Sequence, residues 1–420
     1  MEIFELFPGI TLRCVPDQRF KQGCLSIQLL RPMCRQEAAL NALLPAVLLR
    51  GSEHYPDLRD ITLRMDDLYG AAVGALVRRV GDCQTTGLYA GFMEDRFAMA
   101  GDRILEPMTR FLRELLLCPK LADGLFCADL VESEKKNLIS TIESQLNDKR
   151  GWAMSQLLRG MCREDSYGIP RLGEKEDVAK ITPQNLYDHY RMILKTSPID
   201  VFYVGSMEPK QVARLVEDIF ASLDRDYVPM PEQTPFHWVS PFQKEETMDV
   251  NQGKLCMGFV TPVTCRDDDY MAAQMFNVIF GGGMTSKLFT QIREKQSLCY
   301  AIGSGYYSSK GIITVSAGID SHMGQQVQQE ILEQLEACRR GEITQQEMTA
   351  AREALRSSYL ATNDSPGAIE NYYANAVISG RVTDPESCIR AVEKITPEQV
   401  RQAALQTQFH SRFFLKGVDA

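Results

Sequence analysis

Histidine is scarce in this chain. Only five occur, His54, His189, His237, His322 and His410, and no two stand three to five residues apart. That excludes a helix-borne pair of zinc ligands in either the H-E-x-x-H or the H-x-x-E-H order. Twelve cysteines are present without a C-x-x-C pair among them, which disfavours a thiolate zinc site and a dithiol redox motif. They lie far apart, many in apolar surroundings such as Leu117-Cys118, Leu125-Phe126-Cys127 and Leu298-Cys299-Tyr300, and read as reduced core thiols. G-x-S-x-G is missing, so no serine-hydrolase elbow is expected. No stretch reaches the roughly 18 apolar residues of a membrane span. The N-terminus, Met1 to Pro8, has two acids and no basic region ahead of its short apolar core, so a cytoplasmic protein without a membrane partner is expected. Basic residues form no cluster, and 46 Lys and Arg against 55 Asp and Glu leave a net charge of −9, which argues against a nucleic-acid partner.

What is present is ordinary globular composition, 44% apolar and 24% charged over 420 residues, a length that suits roughly two or three domains. Prolines at 229, 231, 235 and 241 break the pattern near the middle. They mark a linker over 227–241 between domains at 1–226 and 242–420. The two sides echo one another. Glu134 to Asp148 and Ala350 to Asp364 both read as helical and end on Asn-Asp. Ile181-Thr-Pro183 and Ile395-Thr-Pro397 each place an N-cap threonine before a first-turn proline, and each run leads into a strand-like segment, Ile199 to Gly205 and Arg412 to Gly417. Further strands are expected at Gly9 to Val15, Cys24 to Leu30, Lys254 to Val260 and Gly311 to Ala317. The fold class is α+β, two similar halves joined by a proline-rich linker.

Phe280-Gly281-Gly282-Gly283-Met284-Thr285-Ser286-Lys287 lacks the Gly-Lys-Ser/Thr order of a phosphate loop. It reads instead as the end of a helix from Tyr270 to Phe280, a tight turn, and a Thr285 or Ser286 cap on the next helix. Gly303-Ser304-Gly305 reads as a turn or bulge. On the helix that follows the glycines, Leu288, Phe289 and Ile292 form the apolar face and leave Arg293 at its margin, seven residues before Tyr300. A guanidinium and a phenol meeting across a helix-to-strand junction can bind a carbonyl or stabilise an oxyanion. The spacing alone also suits a salt bridge and a core aromatic.

These residues carry a resemblance. Gly281-Gly-Gly-Met-Thr-Ser-Lys-Leu-Phe-x-x-Ile-Arg293-Glu-Lys-x-x-Leu-x-Tyr300 resembles the second-half signature of the insulinase/pitrilysin-type metallopeptidases, which include the mitochondrial processing peptidase. The duplicated halves and the linker fit that family along nearly the whole chain. The resemblance implies that Arg293 and Tyr300 bind the substrate backbone and the tetrahedral intermediate. It also implies an H-x-x-E-H motif just before Arg50-Gly51-Ser52, where this chain has Ala42, Pro45 and Ala46 for the two histidines and the glutamate. A third ligand seven residues after Glu134 falls on Thr141, with Glu143 out of register. Alanine has no donor atom, so no zinc is expected in this chain. Family heterodimers divide the site between subunits. The resemblance therefore implies a zinc-bearing homologous partner, with this chain contributing Arg293 and Tyr300 to the cleavage of extended peptides. The alternative is an inactive scaffold or peptide-binding protein of the same fold. Arg64 and Tyr69 are the first-half echo of the Arg/Tyr pair, but they are five residues apart and read as structural.

Overall fold

In the computed structural model, which describes residues 1–418, the chain builds two large sheets on one plan, besides a short two-stranded ladder of Leu121–Ala122 with Leu125–Phe126. The first contains β1 (Glu2–Phe7), β2 (Ile10–Pro16), β3 (Gln22–Pro32), β4 (Ala72–Val80), β5 (Cys83–Met93) and β6 (Ile199–Gly205), in the order β1-β2-β6-β3-β5-β4. The second contains β7 (Gln243–Thr247), β8 (Gly253–Val260), β9 (Ala301–Tyr307), β10 (Ile312–Ile319) and β11 (Gln408–Lys416), in the order β7-β11-β8-β10-β9. Only β2–β6 and β7–β11 are parallel; every other neighbouring pair is antiparallel. Apart from the extra edge strand β1, one pattern appears twice.

The echoes in the sequence fall at equivalent places. Thr182 and Thr396 each close a capping box, at the heads of the helices Pro183–Thr196 and Pro397–Gln406, and each helix feeds the parallel strand of its sheet, β6 or β11. Gly303-Ser304-Gly305, read from the sequence as a turn or bulge, is instead the middle of β9, in regular register. Its backbone pairs with β10, from Ala301 opposite Gly318 to Tyr307 opposite Ile312, and this partner is invisible to local propensity. Residues 223–242 carry neither helix nor strand.

Two compact units form, and neither is a continuous half of the chain. One gathers Met1–Glu143, Ile169–Glu232 and Asn363–Asn375; the other gathers Ser144–Gly168, Gln233–Thr362 and the residues from Ala376 onward. Compared with domains at 1–226 and 242–420, each unit takes a short segment from the opposite half. Within the first unit, β3, β6 and the helix Leu105–Leu117 bury Leu25, Ile27, Val201, Tyr203, Phe111 and Leu115. The segment it gains brings Glu370, fully buried, whose carboxylate takes both arms of Arg78 (3.0 and 2.8 Å) and bonds from Ser26 (2.7 Å) and Gln28 (2.9 Å). Within the second unit, the helix Lys149–Met161 packs Ala153 and Leu157 on Cys256, Phe413 and Leu415. All twelve cysteines are free thiols, and only Cys34, Cys118 and Cys127 are less than fully buried. Among the described residues no helix is long and apolar enough to cross a membrane.

Candidate functional site

The helix Arg35–Leu48 carries the positions where the resemblance implies a zinc motif. Ala42 and Pro45 are buried and Ala46 is half-buried, so hydrocarbon stands where donors would be needed. Pro45 sits inside the helix and has no N–H to return to the Asn41 carbonyl four residues earlier. Thr86 on β5 supplies the missing bond, its hydroxyl donating to that carbonyl at 2.7 Å. The Asn41 side chain, also buried, donates to Gln84 at 2.9 Å and accepts from His189 Nε2 at 2.7 Å. Since the Asn41 amide nitrogen is already donating, its oxygen faces His189, so the imidazole carries a proton on Nε2. Burial pushes the pKa of this histidine down to about 4.

Glu134, on the helix Ala128–Ser144, is the one acidic residue that the resemblance places in register. It is buried beside Arg50, whose Nε lies 3.2 Å away at an ion-pair distance without hydrogen-bond geometry. Asn137 donates to both of its oxygens at 3.2 Å. Thr141 turns its hydroxyl back onto the Asn137 carbonyl at 2.9 Å, and Glu143 pairs with Lys175 at 3.2 Å. Zinc, which the fold family implies, does not suit this set: two methyl groups, a pyrrolidine ring, a hydroxyl and a carboxylate already occupied by cationic and amide partners. Among the described residues no group of three or more His, Cys, Asp or Glu side chains is gathered for a metal.

In the second unit the helix Tyr270–Phe280 stops at the glycines as expected. A Cβ on Gly281 would come within 2.7 Å of Leu288 Cδ1, and one on Gly282 within 2.8 Å of the Val278 Cα, so packing dictates both. The segment that follows, Leu288–Lys295, is a π-helix rather than the expected α-helix. Its N-cap Lys287 makes no side-chain cap, and the Ser286 hydroxyl is the closest approach to one, accepting from Phe289 N at 3.4 Å. Leu288 and Ile292 face the core. The Arg293 guanidinium lies over the Phe289 ring, 4.6 Å from its centre.

Tyr300 is 54% exposed, and its hydroxyl donates to Asp320 at 2.9 Å, which raises the phenol pKa above its usual value. The first half repeats this device: Tyr69 donates to Asp102 at 2.6 Å. No hydrogen bond joins Arg293 to Tyr300 among the described residues; each has its own partner. Asp320 escaped the sequence reading because the residue that it holds lies across the β9–β10 hairpin. The Tyr69 echo was the available clue.

Beside this region lies a cleft of 540 Å³, bounded by the start of the helix Lys149–Met161, the Gly281 to Met284 turn, and strands β9 and β10. Neither Arg293 nor Tyr300 lines it; Phe289, under Arg293, does. Its basic lining residue, Arg150, was not identified from the sequence. The signal was available in the Asn147-Asp148 echo, since Asp148 caps the helix on which Arg150 stands by accepting from the Arg150 and Gly151 amides.

A family model described as "Peptidase M16 inactive domain" matches residues 180–355. "Probable inactive metalloprotease YmfF" of Bacillus subtilis (strain 168) is 30% identical over 413 residues, covering 98% of this chain and 96% of that one. "Uncharacterized zinc protease YmxG" of the same organism is 24% identical over 294 residues, 68% of this chain and 71% of that one. The crystal structure of a conserved protein from Enterococcus faecalis V583 superposes with a TM-score of 0.92 at 25% identity, covering 100% of this chain and 99% of that one. With its duplicated sheets, the hydrocarbon at its zinc-motif positions and a relative aligned along nearly its whole length, the chain belongs to the M16 family of insulinase/pitrilysin-type peptidases, as a member without the H-x-x-E-H motif.

Proposed function

We propose that this inactive M16 homologue is the non-zinc subunit of a two-chain zinc peptidase. A zinc-bearing homologue supplies metal and base, and this chain supplies Arg293 and Tyr300. The observation that carries the reading is an asymmetry of exposure. The zinc-motif positions have been given over to buried hydrocarbon, whereas Tyr300 is 54% exposed and the Arg293 side chain 40% exposed. Side chains retained for packing would be covered, and these two are not. Bacillus subtilis carries relatives of both kinds, one called a probable inactive metalloprotease and one a zinc protease, which supports a division of labour. In this reading Arg293 bonds a substrate carbonyl and Tyr300 donates to the developing oxyanion, for which its hydroxyl must turn away from Asp320.

The test is co-expression with a zinc-bearing M16 homologue and cleavage of a peptide library. Tyr300→Phe is expected to lower turnover about a hundredfold, the cost of losing one oxyanion donor, while leaving the complex intact on size exclusion. Unchanged turnover removes the shared site. The second reading, a peptide-binding scaffold, is favoured by the "probable inactive" description of the relative that spans the whole chain. It gains if peptides bind but no zinc-bearing homologue assembles with this chain.

A further inference from the structure

Two features of the 540 Å³ cleft are left unexplained by the fold. The first is Arg150. Its Nε donates to the Ser316 hydroxyl at 2.8 Å, which fixes the plane of the guanidinium, while among the described residues Nη1 and Nη2 have neither a hydrogen-bond partner nor a carboxylate in ion-pair range. Asp148, the acid in the lining, uses one oxygen to cap the helix below. The second feature is a set of glycines. Gly283, Gly303 and Gly305 line the cleft with no positive φ, and a Cβ on them would meet nothing, the Gly281 carbonyl at 3.4 Å, and the Thr314 hydroxyl at 3.7 Å, respectively. Unlike Gly281 and Gly282, they are required neither by backbone conformation nor by packing. A glycine in a strand without such a reason leaves room for a ligand or another backbone to come close.

We propose that this cleft is a subsite for a peptide carboxylate, with the ligand's main chain lying against Gly303 and Gly305 and its carboxylate held by the two free arms of Arg150. A planar fork anchored at Nε presents two parallel donors, the geometry that a carboxylate accepts in bidentate fashion. The inference deepens the proposed function by giving its substrate a chemical class. It rests on that reading only for the peptide nature of the ligand, and its test needs no partner.

The experiment measures binding of fluorescent extended peptides to the full chain alone, at low and high ionic strength. Three peptides are compared: one with an internal Glu and an amidated end, one with Gln and a free C-terminal carboxylate, and one with Gln and an amidated end. One of the first two is expected to bind at least about tenfold more tightly than the third, the usual worth of a charge-assisted hydrogen bond. Which of them does so identifies an acidic side chain or a chain terminus as the source. Arg150→Gln, an exposed position, is expected to erase that preference with an unchanged melting temperature, and Gly305→Val to weaken all three peptides. Equal affinity for all three peptides, or a preference that survives Arg150→Gln, overturns the subsite, as does failure of all three to bind. None of these outcomes touches the Tyr300→Phe test, because cleavage by a reconstituted pair is read separately.

Discussion

At the scale of single residues, burial does more to set chemistry here than proximity to any site. His189 is held neutral by desolvation, with its pKa down to about 4 against 6.5 for a free imidazole, because its one good partner, the Asn41 oxygen, accepts a proton that the neutral ring already has. A depressed folded-state pKa has a definite sign. Below the unfolded value the unfolded chain takes up a proton that the folded chain refuses, so stability falls as pH drops through that window and levels off near the folded value. The contribution lost between neutral pH and about pH 4 is about 3 kcal/mol. Chemical denaturation of the wild type and of His189→Gln, whose amide can still donate to Asn41, is expected to show a smaller acid loss in the variant. Parallel pH curves would mean that the ring takes up its proton as readily in the folded as in the unfolded chain. Nothing in the sequence marks His189 out from the other four histidines; its environment is assembled from Asn41 on one helix and Gln84 on β5, far apart in the chain.

At the scale of elements, the helix Arg35–Leu48 shows how a helix accommodates a proline in its interior. A proline in a helix interior usually costs about 3 kcal/mol, part of it the orphaned carbonyl. Here the carbonyl belongs to Asn41 and Thr86 satisfies it. Thr86→Val is expected to destabilise the protein by about 1–3 kcal/mol, the cost of a buried unpaired carbonyl. The same change in a Pro45→Ala background is expected to cost clearly less, since an alanine in place of the proline would restore the helical N–H. A double-mutant cycle on urea midpoints reads the coupling, and additive effects would show that Thr86 does not serve this carbonyl. The helix itself was not among the elements read from the sequence; the resemblance placed the lost donors there without indicating what had replaced them structurally. The N-caps at Thr182 and Thr396 were legible because a cap is local, an N-cap threonine written directly before a first-turn proline. Strand β9 was not, because Gly303 and Gly305 weaken its propensity and its strength comes from pairing with β10.

At the scale of the whole molecule, duplication was legible and exchange was not. Helical periodicity shows that residues 149–161 have an apolar face, but it carries no information about which sheet that face meets. The unit that contains β8 and β11 takes this helix to cover Cys256, Phe413 and Leu415, and the unit that contains β3 and β4 takes residues 363–375 to place Glu370 against Arg78. A cut in the linker therefore does not divide the protein at a natural seam. Residues 233–420 expressed alone would leave an apolar sheet face uncovered where Ala153 and Leu157 normally lie. Residues 1–232 alone would leave Arg78 facing a space without its carboxylate, and losing one partner of such a buried pair costs about 3–5 kcal/mol. Neither piece is expected to give a cooperative thermal transition by calorimetry. The two pieces co-expressed are expected to copurify and to melt as one species near the temperature of the intact chain. If residues 233–420 alone melt cooperatively with slow amide exchange in β8 and β11, the exchanged helix is an accessory, and the halves are independent domains joined only by their linker.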